Sequence, residues 1–109
     1  MRIHSRLGKG FKEVVYKDAM EVEFINDIVP YEREKKFKIE YGNIILPHGF
    51  DADYVVFKSI ILEVKATPFF LPAHFSQTLN YLKASQIKLG ILINSGEDKL
   101  QFKRIVCTY

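Results

Sequence analysis

Two strand-forming runs lie so close together in this chain that they have one simple way to fold. Asp53-Tyr54-Val55-Val56-Phe57 and Ile60-Ile61-Leu62-Glu63-Val64-Lys65 are separated only by Lys58-Ser59. The chain must reverse there, and the two runs are expected to pair as an antiparallel hairpin. Charge inside such runs is unusual, because a strand interior tolerates it only when it is paired, metal-bound or facing water. Here Asp53 opens the first run, while Glu63 and Lys65 close the second. Side chains alternate faces along a strand, so Lys65 points the same way as Glu63.

Two carboxylates on neighbouring strands can share a divalent metal, and with an adjacent lysine they suggest metal-assisted hydrolysis of a phosphodiester. The idea carries a geometric condition. If Lys58-Ser59 is a strict two-residue turn, Asp53 falls opposite Val64 and points away from Glu63 and Lys65. A joint site therefore needs an odd-length turn, which would set Asp53 opposite Lys65, or a bulge or bend near Asp53.

The rest of the chain reads as one domain, residues 1–109, with no linker, repeat or low-complexity segment. Phe11, Val14, Val15, Ala19, Val22 and Ile25 recur at helical spacing and predict a buried helix stripe. Gly8 and Gly10 precede that helix, and Asn26-Asp27 with Pro30 end it. Lys36-Phe37-Lys38-Ile39-Glu40-Tyr41 alternates like a half-buried strand, Gly42-Asn43 is a two-residue turn, and Ile44-Ile45-Leu46 returns from it. The mixed charges of Glu32-Arg33-Glu34-Lys35-Lys36 read as a solvated approach to that strand. Pro72 suits the first turn of a second helix running to about Ser85, with Phe75, Leu79 and Leu82 buried. Leu89 to Ile93 is a buried strand, and Leu100 to Val106 a final one. The order α-β-β-β-α-β-β predicts an α/β or α+β fold with helices flanking a mixed sheet.

Composition narrows the classes. Of 109 residues 48% are apolar, enough for one core, and 16 Lys+Arg against 13 Asp+Glu leave a net charge of +3, compatible with a polyanion partner. A single cysteine, Cys107, excludes an internal disulfide framework and a cysteine-cluster zinc site, and is expected to pack near the terminus. No apolar run approaches the ~20 residues that span a bilayer, and Met1 to Arg6 lacks the apolar core of a signal peptide. A cytoplasmic protein is expected. His4, His48 and His74 share no metal-site spacing, although His74 sits where it can graze the cleft.

Several motifs then resemble a known family in the right order. Gly10-Phe11-Lys12-Glu13-Val14-Val15-Tyr16 spells G-x-x-E-x-x-Y, the pattern that names the GxxExxY proteins, which resemble the PD-(D/E)XK nuclease superfamily. Asp53, Glu63-x-Lys65 and Gln77-x-x-x-Tyr81 follow. Leu89-Gly90-Ile91-Leu92-Ile93-Asn94 is similar to the family's G-L-L-I-N segment, and Lys103-Arg104-Ile105 to its closing K-R-I. The resemblance spans roughly residues 4–106. Three points depart from it: only His4-Ser5-Arg6 stands for a longer helical lead-in, Glu34 replaces a common glutamine, and Phe75 replaces a frequent glutamate.

The resemblance implies a restriction-endonuclease-like core and a magnesium ion, with manganese an alternative. Asp53, Glu63 and the Val64 carbonyl would hold the metal. Lys65 would hold the attacking water or stabilise charge in the transition state. Glu13 would add a catalytic carboxylate from the first helix. Gln77 and Tyr81, four apart on one helical face, would position nucleic acid. DNA is the expected substrate ahead of RNA, with no membrane partner and with a homodimer or protein partner to extend so small a surface. The bland readings are a solvent-facing strand edge for Glu63 and Lys65, a solvated helix residue for Glu13, and core packing for Tyr16. The alternative function is a non-catalytic nucleic-acid-binding or accessory module that retains the fold.

Overall fold

The computed structural model describes residues 2–108. A short helix α1 (Arg2–Leu7) leads into α2 (Glu13–Asn26), then β1 (Tyr31–Phe37), a small hairpin of β2 (Glu40–Tyr41) and β3 (Ile44–Ile45), β4 (Phe50–Val56), β5 (Ile60–Lys65), α3 (Pro72–Ser85), β6 (Leu89–Asn94) and β7 (Gln101–Val106). Five strands form one sheet in the order β1-β4-β5-β6-β7. Only β5 and β6 run parallel, and α3 makes the crossover between them. The expected mixed sheet flanked by helices is what forms.

Two apolar clusters lie on the two faces of this sheet. One joins Tyr16 and Met20 of α2 to Tyr54, Val56, Leu62, Val64 and Ile93. The other joins Leu82 of α3 to Ala52, Val55, Ile61 and Cys107. Gly90 of β6 faces α3, where a β-carbon would come within 2.9 Å of Thr78 Cγ2. The missing side chain lets the helix settle close to the sheet.

The α2 stripe expected from the sequence is the wrong one. Phe11, Val14, Val22 and Ile25 are exposed, and only Val15 and Ala19 are half-buried. The chain instead buries Tyr16 and Met20, with Phe24 packed at the margin. Those side chains follow a second helical spacing, and they are larger, so their burial removes more apolar surface from water. On α3, Leu82 is buried and Leu79 packs against the second cluster as expected, but Thr78 is buried as well and Phe75 lies exposed against Phe70.

A second correction concerns the charged run. Glu32 to Lys36 belongs to β1 itself, paired antiparallel with β4. It lies at the sheet edge, where its charges find partners: Arg33, half-buried, with Asp18 of α2, and Lys35 with Glu32. The strand expected over residues 36–41 is therefore split. Its start ends β1, and its tail pairs across the expected Gly42-Asn43 turn as Tyr41↔Ile44.

Candidate active site

The β4–β5 hairpin meets the parity condition. Phe57 and Lys58 both have positive φ, at 53° and 56°, and the Ser59 N–H donates to the Val56 carbonyl at 3.1 Å. The ladder starts at Val56↔Ile60, so three residues separate the strands. This odd register carries Asp53 opposite Glu63, not opposite Lys65 as the simplest odd turn would have it. The tight turn lies one residue earlier than Lys58-Ser59.

The bend near Asp53 also exists, and two strands share it. Along β4, Tyr54 and Val56 join the first cluster, whereas Ala52 and Phe50 pack with the second. Residues an even number apart share a face of a regular strand, so β4 changes faces at Asp53. Along β1, Tyr31 and Phe37 switch clusters in the same way. The register runs Arg33↔Tyr54 and Lys35↔Ala52 on either side, which sets Glu34 across from Asp53. Glu34 has φ 53°, a left-handed conformation rarely adopted by a residue with a long side chain and often found at functional sites.

Past Tyr54↔Leu62 the β4–β5 ladder stops and side chains take over. The Asp53 N–H donates to Glu63 Oε2 at 2.8 Å, and the Val64 N–H donates to Asp53 Oδ2 at 2.8 Å. Each carboxylate thus accepts the backbone of the other strand. Glu63 is only 3% exposed. Burial, and next the charge of Asp53, push its pKa up to about 8, against the opposing pull of the Asp53 N–H, Lys65 and Lys17.

Lys65 and Gln77 meet directly, Nζ donating to Oε1 at 2.9 Å. Tyr81 reaches the same cleft: burial raises its hydroxyl pKa, and the charges of Glu63, Asp53 and Asp51 add to the effect. Its ring stacks on Phe50 at 4.0 Å between centroids, and Phe50 stacks in turn on Phe37 at 5.1 Å. Asp53, Glu63, Lys65, Gln77 and Tyr81 are therefore brought together.

Glu13 is not drawn into this group. It is exposed at the start of α2 and has no hydrogen bond or ion pair among the described residues. It acts electrostatically on His74, whose pKa is lowered by burial and by Lys65 and raised by Glu13. His74 lies at the rim of the cleft, its Nδ1 accepting the Leu71 N–H at 3.1 Å. The side chain of His4 lies outside the described residues, and His48 is exposed. Tyr16 is core, its hydroxyl donating to the Gly8 carbonyl at 2.5 Å.

Three neighbours of the site were given no role from the sequence. Lys17 is buried under α2, and its ammonium donates to Asp53 Oδ1 at 2.9 Å and to Glu34 Oε1. Burial pulls the Lys17 pKa down, but the bonds and charges of Glu34 and Asp53 outweigh it and leave the group firmly cationic. Asn94, wholly buried, locks the chain beyond Lys65. Its Oδ1 accepts the Thr67 and Gly96 N–H groups, and its Nδ2 donates to the Thr67 carbonyl and to Glu97. Ser95 donates both N–H and hydroxyl to the Lys65 carbonyl. A polar residue ending an apolar strand was the available signal for Asn94. Lys17 gave none, because a lysine on a helix reads as solvated.

Among the described residues no three His, Cys, Asp or Glu side chains gather as a metal cluster. The donor set nonetheless suits a hard divalent ion. Asp53 and Glu63 are two oxygen donors on facing strands, and the raised pKa of Glu63, owed first to burial and next to the charge of Asp53, marks a carboxylate whose ionised form a bound cation would favour. Magnesium commonly takes one or two carboxylates and keeps several waters.

Comparison with known proteins gives the same direction. The family described as the PD-(D/E)XK nuclease superfamily matches residues 1–105. Among solved structures, the crystal structure of SSO0001 superposes with a TM-score of 0.67 at 22% identity, covering 87% of this chain and 50% of that one. An alkaline exonuclease from Laribacter hongkongensis superposes with a TM-score of 0.60 at 13% identity, covering 84% of this chain and 54% of its own. The chain thus spans about half the length of these structures, and at such identities the likeness is one of fold. No curated protein sequence matches. No helix among the described residues is long and apolar enough to cross a membrane.

Proposed function

The chain belongs to the PD-(D/E)XK nuclease superfamily, and from that footing we propose that it is a divalent-metal-dependent nuclease whose active centre is Asp53, Glu63 and Lys65. The observation that carries the reading is the parting of β4 and β5, which sets two carboxylates across from each other in the gap. Lys65 lies two residues beyond Glu63 on the same face.

Asp53 and Glu63 hold the metal, with the Val64 carbonyl as a third oxygen, and magnesium is the preferred ion with manganese a substitute. The ion supplies charge neutralisation and Lewis acidity at the scissile phosphate. Lys65, steadied by Gln77, offers its ammonium to the negative charge that builds on the phosphate oxygens. Tyr81 orients the strand near the acids. Glu13 contributes only from the rim, through a phosphate or a water, and not as a direct ligand. DNA is the proposed substrate ahead of RNA. A second copy or a partner protein supplies recognition surface that so small a fold lacks, and the site of action is the cytoplasm.

The Lys17–Asp53 ion pair favours one second reading, a non-catalytic nucleic-acid-binding or accessory module in which the acids form a structural ion network. The two separate in one assay. Linear, circular and single-stranded DNA and RNA are incubated with magnesium, manganese or EDTA, using wild type, Glu63→Ala and Lys65→Ala. Metal-dependent cutting lost in both variants supports the nuclease. Folded wild type that cuts nothing, with Glu63→Ala strongly destabilised, supports the network instead.

A further inference from the structure

The phosphodiester chemistry proposed above needs acids and a lysine on the Glu63 face, and it has no use for a cation buried under α2. Yet Lys17 is held there with care. Tyr54, itself fully buried, donates its hydroxyl to the Lys17 carbonyl at 2.5 Å. The neighbouring Tyr16 and Met20 are core residues. The ammonium is 2.9 Å from Asp53 Oδ1 and also bonded to Glu34. Asp53 Oδ2 is already engaged by the Val64 N–H. Both oxygens of the carboxylate that opens the site are therefore occupied by positively polarised donors.

The two anions on Lys17 differ in kind. The Asp53 side chain is 17% exposed, and the Glu34 side chain is 50% exposed. Glu34 stands across the kink from Asp53, so the ammonium can lean from one to the other without losing its ion pair. From this geometry we infer that Lys17 is an internal competitor for Asp53, which holds down the affinity of the Asp53–Glu63 site for divalent cations, and that Glu34 is the anion to which it shifts when a cation enters. This rests on the metal reading of Asp53 and Glu63.

Like charges a few ångströms apart inside a protein repel far more than in water, so removing the ammonium should be felt directly by an incoming ion. Two substitutions then act in opposite directions. Lys17→Met keeps the volume and stem of the side chain and removes the competitor. Glu34→Gln keeps the competitor and removes its alternative partner.

The test is isothermal titration of Mn2+ into wild type, Lys17→Met, Glu34→Gln and the double variant Lys17→Met with Glu63→Gln, with circular dichroism to verify folding. Lys17→Met is expected to bind Mn2+ about ten-fold tighter, a change of about 1.4 kcal/mol. Glu34→Gln should bind more weakly than wild type, and the double variant should lose binding. Equal Mn2+ affinity in wild type and Lys17→Met, abolished by Glu63→Gln, overturns the inference and leaves the metal reading intact. No Mn2+ binding by any folded protein overturns both. If Lys17→Met does not fold, Glu34→Gln decides: weaker binding supports the competitor, and unchanged or tighter binding overturns it.

Discussion

Asp53 and Glu63 hold each other through the backbone: the Asp53 N–H donates to Glu63 Oε2, and the residue after Glu63 donates its N–H to Asp53 Oδ2, both at 2.8 Å. The two acids cannot drift apart without breaking both bonds. They repel electrostatically and yet are clamped, and this tension has measurable results.

The first concerns pH. The pKa of Glu63 in the folded chain, about 8, lies above its ordinary 4.5. The folded state thus prefers the protonated acid, and the stabilisation is fully present below pH 4.5. It is lost as pH rises through 8, with a slope of up to about 1.4 kcal/mol per pH unit between those values. Melting in EDTA should show wild type losing stability from pH 5 to 8 relative to Glu63→Gln. Parallel curves for the two proteins would contradict the burial argument.

The Lys65–Gln77 bond predicts coupled losses of activity. Lys65→Ala should lower cleavage about 1,000-fold, to a small residual rate, and Gln77→Ala should lower it about 10- to 100-fold, as loss of a supporting partner does. Adding Gln77→Ala to Lys65→Ala should cost nothing more, because Gln77 acts through Lys65. Rates on one DNA substrate for the three variants check this. Additive losses would place Gln77 directly on the substrate.

Asn94→Ala should destabilise by about 2–4 kcal/mol, since it leaves the part-buried N–H groups of Thr67 and Gly96 without their acceptor. Urea denaturation gives the number. Activity measured well below the transition should fall too, because the segment after Lys65 is freed.

The turn offers a stabilising change. Phe57 and Lys58 both occupy left-handed conformations that suit Asn-Gly. Phe57→Asn with Lys58→Gly should raise stability by about 1–2 kcal/mol. The urea midpoint would move up while Mn2+ titration stays unchanged. A lower midpoint would mean that the exposed Phe57 contributes more than its backbone strain costs.

Much of this was legible beforehand. The hairpin, the crossover helix at Pro72 and the small Gly42-Asn43 turn follow from local chemistry, and Gln77 with Tyr81 follow from helical spacing. What escaped depends on the third dimension. On α2 two apolar stripes competed, and only the shape of the sheet beneath could favour Tyr16 and Met20. Periodicity cannot report a kink shared by two strands, so the meeting of Glu34 with Asp53 was invisible, and with it the reason for a buried lysine. The register error at the turn has the same origin: Lys58-Ser59 looked central by composition, but the backbone turned one residue earlier.

The shared kink also makes the chain from Phe37 to Phe50 modular. Those two residues pair as the last rung of the β1–β4 ladder, and the excursion between them, hairpin included, leaves and returns at one place. Length added there is absorbed outside the rung. Length added between Phe37 and Glu34, or between Phe50 and Asp53, displaces the acids. The molecule therefore carries a natural port for grafting a recognition segment or a reporter beside the Asp53–Glu63 pair, bounded by two stacked phenylalanines.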